Sequence, residues 1–129
     1  MSEKAAVRTD EAPAPFQGAP YSQAIRAGGL VFVSGQLALA PAGHGLVGAG
    51  IGEQTEQVFA NLRAILEAAG SGLDRIVKTT VYLTDLGDFA GMNEVYARHV
   101  GDVPPARATI EISALPSGAK VEIEAIASV

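Results

Sequence analysis

Arg107 stands directly after Pro104-Pro105-Ala106 and opens an alternation in which Ala108, Ile110 and Ile112 are apolar. An arginine at the lip of a strand presents a planar fork that matches one carboxylate or phosphate. Because the chain carries 14 acidic residues, a surface ion pair is the alternative reading. Glu122, between Val121 and Ile123, is similarly open: it is either a solvated outward carboxylate or a base whose pKa rises through partial burial. Ser34, in Val33-Ser34-Gly35-Gln36, ends a strand as a nucleophile would. Neither His44 nor His99 has a motif tying it to that serine as a base, so a hydrogen-bonding hydroxyl is the simpler role.

Other chemistry is poorly supplied. With 2 His and 0 Cys there is no metal-ligand spacing, no disulfide and no thiol nucleophile, so metal-dependent chemistry is poorly supported. His99 falls near a helix C-terminus, where it suits the helix dipole. Gly43-His44-Gly45-Leu46-Val47-Gly48 has the letters of a dinucleotide turn, but Gly50 and Gly52 intervene before the next helix and no phosphate-binding lysine follows. The formal charge of −5 argues against a nucleic-acid partner. No stretch approaches the ~20 apolar residues of a membrane span, and charges at Glu3, Lys4, Arg8, Asp10 and Glu11 break any signal-peptide run, so a cytoplasmic protein is expected.

The elements that must position these residues follow from periodicity. A length of 129 residues suits one domain. Residues 1–18 read as an N-terminal arm, partly flexible, and 19–129 as a single domain. Strands are expected over Tyr21–Ala27 and Leu30–Ser34, joined at Gly28-Gly29, a dipeptide that supplies positive φ in a tight turn. Val58, Leu62, Ile65, Leu66 and Ala69 recur at helical spacing from Glu53 onward, with Gly70 as a stop. Ile76–Leu83 returns to period two, with Val77, Thr79 and Val81 on one side. Asp88 can cap a second helix carrying Phe89, Met92, Tyr96 and Val100. Arg107–Ser113 and Ala119–Ser128 complete the order ββαβαββ, an α+β fold with a mixed sheet and both helices on one face, its two strand–helix–strand units forming parallel pairs. Ile126 shares the outer side of the last strand with Glu122 and Glu124. Apolar residues on both sheet faces, with only two helices to cover one of them, predict association with further copies of the chain.

Pro20-Tyr21-Ser22-Gln23-Ala24, Val33-Ser34-Gly35-Gln36, Val77-Lys78-Thr79-Thr80-Val81, Asn93-Glu94-Val95-Tyr96, Pro105-Ala106-Arg107 and Val121-Glu122-Ile123-Glu124 fall in an order and at spacings that resemble the RidA (reactive intermediate deaminase A) family. The resemblance runs from about Ala12 to the C-terminus. It implies a chorismate-mutase-like subunit in a homotrimer with sites between subunits. It also implies hydrolysis of 2-enamine and 2-imino acids (2-aminoacrylate, 2-iminopropanoate, 2-iminobutanoate) to 2-keto acids and ammonia, without a cofactor. By the same resemblance Arg107 grips the substrate carboxylate, Glu122 activates water, and Tyr21, Ser34 and Asn93 line the pocket. Thr109 stands where many members have cysteine, which implies a backbone or hydroxyl contact there. Ala19 replaces the usual glycine before Pro20-Tyr21, which puts the turn into Tyr21 in doubt because alanine tolerates positive φ poorly. Other readings within reach are a paralogue acting on a different carboxylate substrate and a ligand-binding, chaperone-like or RNA-cleaving trimer.

Overall fold

The computed structural model describes residues 3–43 and 45–129, so His44 lies outside the described residues. Its strands are β1 (Ala5–Val7), β2 (Ala24–Ala27), β3 (Leu30–Gln36), β4 (Ile76–Leu83), β5 (Ala106–Glu111) and β6 (Val121–Ser128), and its helices are α1 (Ile51–Ala68) and α2 (Phe89–His99). One six-stranded sheet runs β1-β2-β3-β6-β4-β5. The α+β class and the mixed sheet are as expected, and both helices pack on the same face.

Gly28 and Gly29 take φ of 59° and 76° and close the β2–β3 hairpin as the dipeptide predicts. Parity then sorts the two sheet faces. Val31, Val33, Val81, Val121, Ile123 and Ala125 point inward against Val58, Phe59, Leu62, Ile65 and Leu66 of α1 and Met92 of α2. Each large side chain buried there contributes about 1.5–3 kcal/mol. Buried polar groups tie loops onto this core. Asn61 donates to the carbonyls of Leu37 and Leu39 at 3.1 and 3.0 Å, and Gln54 receives the Lys120 N–H at 2.9 Å.

Several expectations need correction. Residues 5–7 form an edge strand rather than part of a loose arm, and Val7 and Ala12 are buried. The holding group is the Gln23 side chain, which accepts from Thr9 N–H at 2.8 Å and donates to the carbonyls of Thr9, Ala12 and Pro13 at 3.0, 3.3 and 2.9 Å. A three-residue strand is too short to carry a period, and a single glutamine leaves no pattern. β2 starts at Ala24 rather than Tyr21, because the Ser22 carbonyl accepts from Ser34 Oγ at 2.6 Å and Tyr21 turns toward Phe16. Only β4 and β5 form a parallel pair, since β6 enters antiparallel between β3 and β4. An irregular register between Ile76 and Lys78 puts Val77 at 48% exposure, off the inner side assigned to it by strict alternation. Asp88 precedes α2 without a side-chain cap; Asp85 instead accepts from Gly87 N–H at 2.7 Å. Ala19 sits at φ −62°, ψ 155°, open to any residue, so its replacement of glycine leaves the turn unstrained.

None of the described residues covers the outer sheet face. Phe32 is 41% exposed on it, and a groove of about 270 Å³ lies among Phe32, Lys78, Thr80, Glu124 and Ile126. Among the described residues no helix is long and apolar enough to cross a membrane.

Candidate active site

Arg107 is paired in register with Thr79 across β4–β5, so both side chains leave the sheet on the helix side. There α2 meets the guanidinium. Nη1 donates to Asn93 Oδ1 at 2.8 Å, and Cζ lies 4.7 Å from the ring centre of Tyr96 and 5.5 Å from that of Phe89. Phe89, Asn93 and Tyr96 are four and three residues apart, the spacing that sets side chains along one side of a helix. Among the described residues the ion pairs are Arg98–Glu56, Arg98–Glu94 and His99–Glu56, so Arg107 is not part of a surface ion pair. Its charge is held by an amide and two aromatic faces, leaving further N–H groups for an outside anion. Thr109 is two residues along β5, on the same side and partly buried.

Glu122 belongs to a different surface. It pairs in register with Tyr82 and points to the open face, packed onto the backbone of Gly35 in β3. A β-carbon at Gly35 would lie 2.7 Å from Glu122 Cδ, so this approach requires glycine. Burial, and then the neighbouring Glu124 carboxylate, push the Glu122 pKa above the ordinary value of 4.5. Ser34 precedes Gly35 and is engaged with the Ser22 carbonyl. Tyr21 and Gly35 line one small cleft together with Pro13, Phe16 and Gln36. The Phe16 N–H donates to the Tyr21 hydroxyl oxygen at 2.6 Å, which leaves the hydroxyl hydrogen free to point outward.

The six residues singled out in the sequence therefore fall into two separate groups. Asn93, Arg107 and Thr109 lie on the helix side at the β5 edge, while Tyr21, Ser34 and Glu122 gather around Gly35 at the open face. Within one chain β4 stands between β5 and β6, and the two groups face opposite sides of the sheet. His99 joins neither. Its ring stacks on Phe59 with centroids 4.7 Å apart, and its Nε2 contacts Glu56, so it bridges α1 and α2 through a carboxylate rather than through a helix dipole alone. His99, then Arg98, hold the Glu56 carboxyl below its ordinary range. Among the described residues no three His, Asp or Glu converge on a cation position.

Sequence reasoning did not single out Gly35, Thr79, Phe89 or Tyr96, and placed Phe89 and Tyr96 only on the stripe of the second helix. The signal for Phe89 and Tyr96 was present in their helical spacing from Asn93. Gly35 and Thr79 depend on strand register, which sequence does not carry.

Residues 9–129 match the family described as Endoribonuclease L-PSP. A RutC family protein of Pyrococcus horikoshii is 49% identical over 124 residues, covering 96% of this chain and 97% of that one. The 2-iminobutanoate/2-iminopropanoate deaminase of Mus musculus is 44% identical over 121 residues, covering 94% and 88%. Among solved structures, RidA from the Antarctic bacterium Psychrobacter sp. superposes with a TM-score of 0.91 at 46% identity, covering 97% of this chain and 99% of that one.

Proposed function

The chain belongs to the Endoribonuclease L-PSP (RutC/RidA) family, whose relatives support an imine or enamine deaminase role, and from that premise we propose that it hydrolyses 2-imino acids to 2-keto acids and ammonium. The observation that carries this reading is the state of Arg107: a fixed cation stacked over aromatic rings, hydrogen-bonded by a neutral amide and free of any carboxylate among the described residues. Such a fork fits a small carboxylate.

The chemistry asks little more. An iminium carbon is already electrophilic and hydrolyses slowly unaided, so the protein must bind the carboxylate, place one water and move protons. Glu122 is the base. Its carboxylate takes a proton from water as oxygen adds to the iminium carbon and passes that proton to the amine nitrogen; the carbinolamine then loses ammonia as its hydroxyl proton goes to Glu122, and ammonia takes that proton to leave as ammonium, with the carboxylate restored. For an enamine substrate, protonation at the terminal carbon first gives the same imine. Tyr21, with its oxygen already accepting from Phe16, donates its hydrogen toward substrate, and Ser34 fixes the strand end beside it. Thr109 borders the carboxylate end.

Arg107 and Glu122 cannot meet in one chain, so the working site joins the helix-side half of one copy to the open-face half of another. The exposed Phe32 and the half-buried Ile126 supply apolar surface for that contact, and the expected assembly is a homotrimer. A nucleic-acid substrate has less support, because nine basic residues are outnumbered by fourteen acids.

The test couples a serine or threonine dehydratase to this protein and follows the nascent imine against the keto acid. Imine decay accelerates with the wild-type chain and returns to the uncatalysed rate with Arg107→Ala, while the assembly stays intact. Near-normal decay with Arg107→Ala would remove the site assignment. No acceleration by the intact wild-type assembly would remove the activity.

A further inference from the structure

We propose that Tyr96 and Thr79 are a positioning pair for Arg107, so that the grip on the substrate carboxylate depends on a buried hydrogen bond that never touches substrate. The inference deepens, and rests on, the reading of Arg107 as the carboxylate clamp.

Arginine has a long flexible stem, and one bond from Nη1 to Asn93 at 2.8 Å fixes a nitrogen without fixing the plane of the fork. Bidentate recognition needs the plane. The Tyr96 ring supplies it by lying under Cζ at 4.7 Å, where a flat cation is drawn to the aromatic face. That ring is itself held at two points. Its hydroxyl is hydrogen-bonded to Thr79 Oγ1 at 2.7 Å, and Phe59 meets it edge-on, with centroids 5.5 Å apart and planes at 81°.

Thr79 is also the register partner of Arg107 in the parallel β4–β5 ladder. The contacts therefore close a ring: from the Arg107 backbone to Thr79, from the Thr79 hydroxyl to Tyr96, and from the Tyr96 face back to the Arg107 head. Each member constrains the other two. Tyr96 is 5% exposed and Thr79 is 1% exposed, so water does not compete for the bond that sets the ring's tilt. Asn93 acts on the fork's edge and Tyr96 on its face, and the remaining N–H groups are left for a ligand.

The experiment compares wild type with Tyr96→Phe, Thr79→Val, Thr79→Ser and the Tyr96→Phe/Thr79→Val double variant. Three readouts are taken: ¹⁵N relaxation of the Arg107 Nε–H group, KM against kcat for imine hydrolysis, and Tm. Tyr96→Phe and Thr79→Val are expected to loosen the Arg107 Nε–H on the nanosecond scale and to raise KM roughly three- to tenfold, more than they lower kcat. Thr79→Ser keeps the hydroxyl and restores both readouts. The double variant is no worse than the worse single one, because both remove one bond. A rigid Arg107 Nε–H and an unchanged KM in Tyr96→Phe and Thr79→Val, with only Tm lowered, would overturn the proposal and leave the pair as core packing. Failure of the wild-type chain to hydrolyse imines would instead remove the deaminase reading, while the relaxation data would still decide whether the pair holds Arg107.

Discussion

Arg107 has only neutral partners among the described residues of a chain with 14 acidic residues, which excludes the surface ion pair and supports the proposed carboxylate clamp. The distinction was not legible in sequence. Residue type gave both readings, and the decision came from the Asn93 amide and the two rings beneath the fork. Replacing Arg107 with Lys keeps the charge but loses the plane and the second donor. It should lower kcat/KM by about ten- to a hundredfold, the worth of one charge-assisted bond, about 1.5–3 kcal/mol. Steady-state kinetics check this. Glu122 makes a prediction in pH. Its folded-state pKa lies above 4.5, so ionising it in the folded protein costs stability: the penalty is absent below the unfolded value and grows as pH rises through the folded one. Glu122→Gln is therefore expected to be more stable than wild type at neutral pH, with the gain vanishing toward pH 4.5, and to lose turnover. As a base, Glu122 must be ionised, so the acidic limb of the wild-type kcat/KM profile lies above 4.5. Thermal unfolding and rate profiles across pH measure both.

Among the elements, legibility followed length and periodicity. Ile76–Leu83 was read with its observed bounds because eight residues of alternation are hard to mistake, and α1 was read to within two residues of its start. β1 was lost because three residues held by one glutamine leave no period. The sheet order was also missed, since no local pattern announces that β6 enters between β3 and β4. Site residues divide the same way. Those on helical spacing were within reach of sequence, whereas the places of Gly35 and Thr79 are set by strand register. Gly35 offers the test at this scale. It lies in the irregular stretch between Val33 and Gln36, where β3 slips against β6 and lets Glu122 rest on bare backbone. Gly35→Ala should displace the Glu122 carboxylate, the flexible end of that side chain, at little cost in stability, and lower kcat much more than it disturbs carboxylate binding at Arg107. A crystal structure of the variant with paired kinetics would show whether the carboxylate moves.

At the scale of the whole molecule, the proposed site is split between the two faces of the sheet. One side of the sheet is closed by α1 and α2; the other carries Glu122 against Gly35 and, farther along β6, the exposed Phe32 paired with Ile126, and none of the described residues covers it. The apolar residues on both faces were readable from sequence, and they pointed to self-association before any geometry was known. The placing of Arg107 and Glu122 on opposite faces was not, because it depends on which face each strand end presents. If Arg107 of one copy works with Glu122 of another, the two residues can be supplied by different chains. The most direct measurement is imine hydrolysis by assemblies formed from equal amounts of Arg107→Ala and Glu122→Gln subunits, unfolded and refolded together. Each variant alone should be inactive, and random mixing should place an intact Arg107 against an intact Glu122 at about one interface in four, restoring about a quarter of the wild-type rate. A mixture as inactive as its parents, when wild-type subunits taken through the same refolding recover full activity, would contradict a site shared between copies.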